Sequence, residues 1–420
     1  MQDLDTGAQR KRVAYLGLCF TVLFGGFVTA QSLITNLFGI VGFYALFSLY
    51  LSFSVAAFMG DWIISYAGTR KMMAFGASTS LILIGGGLSG MEWLFIAGSI
   101  SFGAGSVVLW EAQATYFSRI TQFNPHNINS LNAIFFIFYA IAGLAGNTAI
   151  GILLNVTGTS SLSKEKALLV LWTLFGICAC GSALFFFMPA VPPLKSANPP
   201  KPFLVYAKAT LQIMKNPNYL IWLPYVFVWI VIISFGFGQF PLLIPVQYVP
   251  WTFTAWGVGF LLSTVLLTKF DKLSIKQLIV VHLIDVVLIA VTCLASGLTG
   301  SIGGLIFTGF LFGLNESLGN NICIPAFLKT MKSSFSSAIV MWRSEIGISF
   351  CCGFIISTFV EWTWLLLIIT TLWIVSCVLL LLFFREEEEI AETPKPEDTP
   401  QSPQPEPQTP SDTIQVGLDM

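Results

Sequence analysis

The chain has 420 residues, of which 55% are hydrophobic and only 10% are charged, and its mean hydropathy is +0.80. These values lie outside the range of soluble globular domains. The composition therefore indicates a protein of the lipid bilayer, and at a formal net charge of −1 no nucleic-acid partner is expected.

From Val13 to Arg385 the sequence alternates between apolar stretches and short charged breaks. Each stretch is about as long as a helix that crosses ~30 Å of hydrocarbon. Twelve spans are predicted at residues 13–34, 38–60, 72–90, 93–115, 131–153, 167–189, 219–240, 254–270, 278–299, 301–321, 336–358 and 362–384. Because open strands would leave backbone groups unpaired in lipid, the spans must be helices. We therefore expect an all-α polytopic membrane protein with twelve transmembrane helices.

Basic residues predict the orientation, because short cytoplasmic loops carry an excess of lysine and arginine. If the N-terminus is cytoplasmic, seventeen of the twenty basic residues lie in cytoplasmic segments. The opposite face then holds only Lys164 and Lys166, and Arg343 lies inside a span. Both termini are expected in the cytoplasm, while the pattern does not distinguish the plasma membrane from an internal membrane.

A long proline-containing break divides the twelve spans six and six. The predicted organisation is a cytoplasmic N-terminal segment 1–12, a six-helix bundle 13–189, a cytoplasmic linker 190–218, a second six-helix bundle 219–384 and an acidic, proline-rich tail 385–420. The tail is expected to be disordered, because it holds almost no large apolar side chains. Two six-helix bundles resemble the major facilitator superfamily fold, in which substrates bind between the halves near the midplane.

Short motifs in both halves resemble a known family. The first half contains Leu16-Gly17-Leu18-Cys19-Phe20, Gly42-Phe43-Tyr44-Ala45-Leu46, Leu109-Trp110-Glu111-Ala112-Gln113 and Gly146-Asn147. The second half contains Gly313-Leu314-Asn315-Glu316 and Trp342-Arg343-Ser344-Glu345. Together they resemble the Unc-ninety-three family, a divergent branch of the major facilitator superfamily.

This resemblance implies a function as well as a fold. Members of the family are known mainly as accessory or escort subunits of channels and receptors, and a potassium-related role is attributed to some. An accessory, regulatory or escort subunit is therefore expected, with a channel or receptor as its partner. The alternative is a secondary transporter that moves a small solute or a monovalent cation by alternating access. No enzyme activity or cofactor is expected, because the chain lacks the common metal-protease, serine-hydrolase and phosphate-loop motifs.

Polar residues inside the spans are the candidates for function, because an ionisable group at membrane depth costs at least ~2.5–3.5 kcal/mol. The candidate cavity or ion-binding residues are Gln31, Trp110, Glu111, Gln113, Glu316, Asn320, Arg343 and Glu345. Glu316 and Asn320 are four apart on one helix face, which makes Glu316 the first candidate for a cation or proton site. The alternative for each ionisable residue is a structural role, either in a buried pair or at the cytoplasmic end of a span.

Helix geometry also predicts partners. Glu316 and Arg343 are expected to form an ion pair, whereas Arg343 and Glu345 lie about 200° apart on their helix and must face different neighbours. Gln31 and Gln113 are expected to form one polar patch or to make separate interhelical hydrogen bonds. For His282 and Asp285 a structural role is favoured. The segment from Pro241 to Phe253 is predicted to be a loop whose composition suits either a belt at the membrane interface or a partner contact.

Overall fold

The computed structural model describes residues 5–122, 128–156, 163–192, 202–269, 273–331 and 335–384, and within them the regular structure is entirely helical. The fourteen α-helices of these ranges are α1 Thr6–Phe38, α2 Ile40–Ala67, α3 Thr69–Ser89, α4 Glu92–Thr121, α5 Ile128–Val156, α6 Lys164–Phe186, α7 Phe203–Ile213, α8 Pro217–Leu220, α9 Leu223–Gly238, α10 Val249–Lys269, α11 Ile275–Thr299, α12 Ile302–Thr330, α13 Phe335–Ile356 and α14 Trp362–Phe383.

Twelve helical segments in the described ranges are long and apolar enough to cross a membrane, which confirms the predicted number and type of spans. Several helices extend past the predicted spans. For example, α4 continues to Thr121, and α12 continues to Thr330 although Pro325 lies inside it. Hydropathy predicts only the part of a helix that crosses lipid, so helix that projects beyond the hydrocarbon is missed.

The outer faces of the helices are apolar. On α14 the side chains of Leu372, Val375, Leu379 and Leu382 are exposed although they are large and hydrophobic. A helix that is apolar on its outer face as well as its packed face is typical of a membrane span. The chain is therefore an integral, multi-pass membrane protein.

The long helices pack in two groups. In the first, α1 contacts α5 and α6, α4 contacts α2 and α3, and α3 contacts α6; in the second, α12 contacts α10 and α11, and α9 contacts α13 and α14. Glycine allows the closest approaches: a Cβ atom at Gly146 would overlap the carbonyl oxygen of Gly25. The groups meet mainly where α2 contacts α13 and α5 contacts α10. We refer to α1–α6 and α8–α14 as the first and second helix groups.

Part of the predicted linker 190–218 is helical. Helix α7 contacts both α2 and α13, and the ring centroid of its Phe203 lies 6.0 Å from that of Trp62. The chain between the groups thus includes a helix that packs on both of them. Residues 193–201 of the linker and the predicted tail 385–420 lie outside the described residues, and the domain boundaries stay predictions.

Side-chain hydrogen bonds identify which helix ends meet. Arg12 of α1 donates to the carbonyl oxygen of Ala190, and the Tyr116 hydroxyl of α4 donates to that of Pro189 over 2.9 Å. The start of α1 and the ends of α4 and α6 thus share one end of the molecule, which we call the terminal end. At the other, remote end, Asn36 of α1 donates through Nδ2 to the carbonyl oxygen of Pro241, 3.2 Å away.

Candidate functional site: a cavity between the helix groups

A cavity of about 310 Å³ lies between the two helix groups. Its lining comes from α1, α2, α4 and α5 of the first group and from α9, α10, α12 and α13 of the second. Ligand pockets generally range from ~300 to ~1,000 Å³, so this cavity has room for a small molecule only. Most of its lining side chains are apolar or aromatic.

The structure places six of the eight predicted residues at this cavity: Gln31, Trp110, Gln113, Glu316, Asn320 and Arg343. They come from spans that are distant in sequence, and the packing of the two helix groups brings them together. The remaining two, Glu111 and Glu345, are buried but do not line it.

The expected ion pair between Glu316 and Arg343 is wrong. Arg343 instead forms a salt bridge with Glu111, so the pair joins α13 of the second group to α4 of the first. Both side chains are shielded from water, with exposed fractions of 13% for Arg343 and 6% for Glu111. Glu111 also packs closely against α2, where Gly60 leaves room for its Cγ atom. The lack of a side chain at Gly60 thus allows the acid to lie deep between the helices.

Glu316 interacts with a neutral partner instead. The indole Nε1 of Trp256 donates to Glu316 Oε2 over 2.7 Å, which links α12 to α10. Asn320 donates from Nδ2 to the backbone carbonyl of Glu316 over 2.9 Å, an intrahelical bond that faces the same cavity. Glu316 and Asn320 therefore do share one face of α12, as expected, and the use of Glu316 as a cation or proton site stays a prediction.

Glu345 lies on a different side of α13 from Arg343, in agreement with the 200° separation. Its Oε2 accepts a hydrogen bond of 2.6 Å from the Tyr219 hydroxyl. This contact joins α13 to α8 within the second helix group, away from the cavity lining. In this conformation the Glu345 side chain therefore links two helices of the second group.

Gln31 and Gln113 share the cavity, but the hydrogen-bond partner of Gln31 is Tyr50. Gln31 donates through Nε2 to the Tyr50 hydroxyl over 2.9 Å. The Tyr50 ring stacks on Phe350 of α13 with a centroid distance of 4.0 Å and an angle of 18°. One tyrosine thus connects α1, α2 and α13, a role that the sequence analysis did not assign to it.

Trp256 is the second residue that sequence reasoning missed. Its ring stacks on Phe253 at 5.1 Å and on Phe312 at 5.0 Å. Phe253, Trp256 and Phe260 all line the cavity, and their spacing of three and four residues places them on one face of α10. That spacing was a signal that an apolar face of α10 turns toward the interior.

His282 lies in a separate, fully buried polar cluster. Its Nδ1 is 2.6 Å from the Tyr225 hydroxyl, and its Nε2 is 2.8 Å from Asn315 Nδ2. Asp285, one turn further along α11, is also buried. None of these residues lines the cavity, and the cluster connects α9, α11 and α12 as a structural network would.

The segment from Pro241 to Phe253 is not a free loop. It contains two 3₁₀ turns, and α10 already begins at Val249. A Cβ atom at Gly151 of α5 would lie 2.9 Å from the Trp251 ring, and Phe253 lines the cavity. Together with the Asn36 contact to Pro241, these contacts make the segment part of the packing between the groups at the remote end.

Comparison with solved structures identifies the fold. The chain is similar to the nucleoside transporter NupG, with a TM-score of 0.67 and 12% identity over 90% of this chain and 100% of that one. It is also similar to a bacterial homologue of the human drug peptide transporters PepT1 and PepT2, with a TM-score of 0.61 and 12% identity over 89% of this chain and 97% of that one. These proteins have the major facilitator superfamily fold, and at such low identity the likeness shows the fold alone.

Sequence comparison identifies the family. UNC93-like protein 3 of Arabidopsis thaliana is 24% identical over 184 residues, which are 42% of this chain and 39% of that relative. The chain thus aligns with well under half of that protein's length. The model of the family described as ion channel regulatory protein UNC-93 matches residues 37–247, about half of the chain, including the cavity-lining helices α2, α4, α5 and α9. The chain therefore belongs to the UNC-93 family, as the sequence motifs predicted, and has a major facilitator superfamily fold.

Proposed function

We propose that this protein is an accessory membrane subunit that regulates a channel or receptor. The family match over residues 37–247, whose description is that of an ion channel regulatory protein, carries the proposal. We also place both termini in the cytoplasm, on the strength of the lysine and arginine distribution. A role in potassium homeostasis follows the potassium-related activity attributed to some members of the family.

Contacts between the two helix groups support the regulatory proposal, because they hold the helices in one defined arrangement. The Glu111–Arg343 salt bridge joins α4 to α13, and the Ser54 hydroxyl of α2 donates to the carbonyl oxygen of Ser344 over 2.9 Å. These two contacts join the helix groups at this position in the present conformation. A regulatory subunit requires a stable fold and an outer surface that contacts its partner. It does not require solute or ions to pass through the cavity.

The test compares cells with the purified protein. In cells that lack the endogenous gene, expression should change the whole-cell potassium conductance measured by patch clamp. Purified protein alone should conduct no ions in planar bilayers and should mediate no saturable uptake into liposomes. An unchanged conductance in cells, together with saturable uptake by the pure protein, would overturn the regulatory proposal.

Secondary transport is the second candidate, and the cavity favours it. The cavity lies between the helix groups and contains charged and amide side chains, as a solute site in this fold does. Under this alternative, uptake into liposomes would saturate with solute concentration. It would also be lost in Glu316→Gln at an unchanged melting temperature, a combination that a purely structural role of Glu316 does not produce.

A further inference from the structure

The charges at the cavity do not balance. Its lining includes one acid, Glu316, and one base, Arg343. The charge of Arg343 is already matched by Glu111. In the part of the chain that the structure describes, no lysine or arginine forms a salt bridge with Glu316. When Glu316 is ionised, the cavity therefore has one negative charge without a cationic partner.

The Glu316 carboxylate is held in place but has capacity for a ligand. Trp256 donates one hydrogen bond, to Oε2, whereas the two oxygens of a carboxylate accept about four in total. A buried carboxylate is costly unless another group compensates its charge. A cation beside Glu316 would therefore be stabilised by the charge itself and by the fixed position of the carboxylate.

Aromatic rings from both helix groups line the cavity that Glu316 faces. On the second group, Trp256 lies against Phe237 with ring centroids 4.9 Å apart. On the first group, the ring of Trp110 lies 5.3 Å from that of Tyr139, and Tyr139 is within 6.3 Å of Phe260 across the groups. Tryptophan and tyrosine faces attract organic cations through the ring quadrupole, and they also pack against an apolar body.

We propose that the central cavity binds a small organic cation with an apolar body, with its ammonium group beside Glu316 and its body against the aromatic lining of the cavity. The cavity volume of about 310 Å³ limits the ligand to the size of one or two rings. A bare potassium ion is a poorer match, because it requires several oxygen ligands in place of its water shell and most of this lining is carbon. The proposal goes beyond the regulatory function and holds whether the bound cation regulates or is transported.

The first measurement uses the full-length purified protein in lipid nanodiscs. Benzyltrimethylammonium chloride is the probe, with sodium benzenesulfonate and potassium chloride at matched ionic strength as controls. Binding to the folded state alone raises the melting temperature with ligand concentration. With benzyltrimethylammonium we expect the melting temperature to rise with the logarithm of concentration above the Kd, together with a saturable change in tryptophan fluorescence, and we expect neither effect with either control. An equal rise with benzenesulfonate or with potassium would overturn the proposal, as would no rise with any of the three.

The second measurement uses variants. Glu316→Gln should weaken benzyltrimethylammonium binding by about tenfold or more, the scale of one contact to a charged group. Glu345→Gln removes a buried acid outside the cavity by the same substitution and should change the affinity by less than about twofold, as expected for a distant site. Trp110→Leu provides an independent variant in case Glu316→Gln does not fold, and it should weaken binding without altering any charge. If Glu316→Gln folds, an unchanged affinity in that variant would refute the site. If it does not fold, an unchanged affinity in Trp110→Leu would refute the site.

Discussion

Removing one partner of the Glu111–Arg343 salt bridge is expected to destabilise the protein more than removing both. Two unit charges about 4 Å apart attract by ~4 kcal/mol at an effective dielectric constant of about 20, and leaving one buried charge alone costs ~3–5 kcal/mol. Arg343 borders the cavity and is 13% exposed, whereas Glu111 is 6% exposed. An unpaired Arg343 is therefore closer to solvent than an unpaired Glu111, so Arg343→Gln should cost more than Glu111→Gln.

The assay is a double-mutant cycle of wild type, both single variants and the double variant, with unfolding followed by tryptophan fluorescence in one lipid or detergent. The double variant should be more stable than the sum of the two single losses predicts, with a coupling of ~2–4 kcal/mol. Arg119→Gln is a matched control, because the one hydrogen bond that Arg119 donates to a described side chain goes to the neutral Thr69 hydroxyl, 3.4 Å away, and this variant should lose less stability. Strictly additive losses in the cycle would refute the reasoning.

Two further predictions concern packing and orientation. Gly347→Ala should lower stability by ~1–3 kcal/mol, because its Cβ would lie 2.7 Å from Ser54 Cβ; thermal unfolding measures this. Gly303→Ala, where a Cβ meets nothing within 4 Å, is the control and should be neutral or stabilising by up to ~1 kcal/mol; equal losses in both would contradict the packing argument. In a cysteine-free background, single cysteines are placed at the exposed positions Ala209 and Met91. An impermeant thiol reagent should label the first only from the cytoplasmic side and the second only from the opposite side; the reverse labelling would overturn the orientation.

The helices could be predicted from the sequence more completely than the side-chain contacts between them. Twenty-residue apolar windows predict a membrane span from composition alone, because lipid requires it at any position in the fold. Polar residues such as Glu316 and Gln113 stand out within these apolar windows, so six of the eight predicted site residues do line the cavity. The relative directions of side chains around a helix could also be predicted, since Arg343 and Glu345 on α13 do face different neighbours.

Which side chains pair with one another could not be predicted, because the pairing depends on how the helices pack. The sequence places Arg343 on α13 but does not say that α13 lies against α2, where Gly60 lets Glu111 approach. Trp256 was missed for a related reason: an aromatic residue in an apolar span stands out only once its neighbours are known. The composition of Pro241 to Phe253 is the same whether the segment faces a partner or packs inside, and the structure places much of it inside.

The apolar outer faces of the helices have a consequence for any partner within the membrane. Side chains such as Ile284, Leu288 and Val291 on α11 are exposed, and in a bilayer they would face lipid tails of similar polarity. A channel subunit that docks there exchanges lipid for protein and buries no apolar surface from water, so the hydrophobic effect contributes little to its affinity. Association must then depend on close packing, interhelical hydrogen bonds and the lipid composition, and a detergent that competes for these faces would separate the partners without unfolding either one.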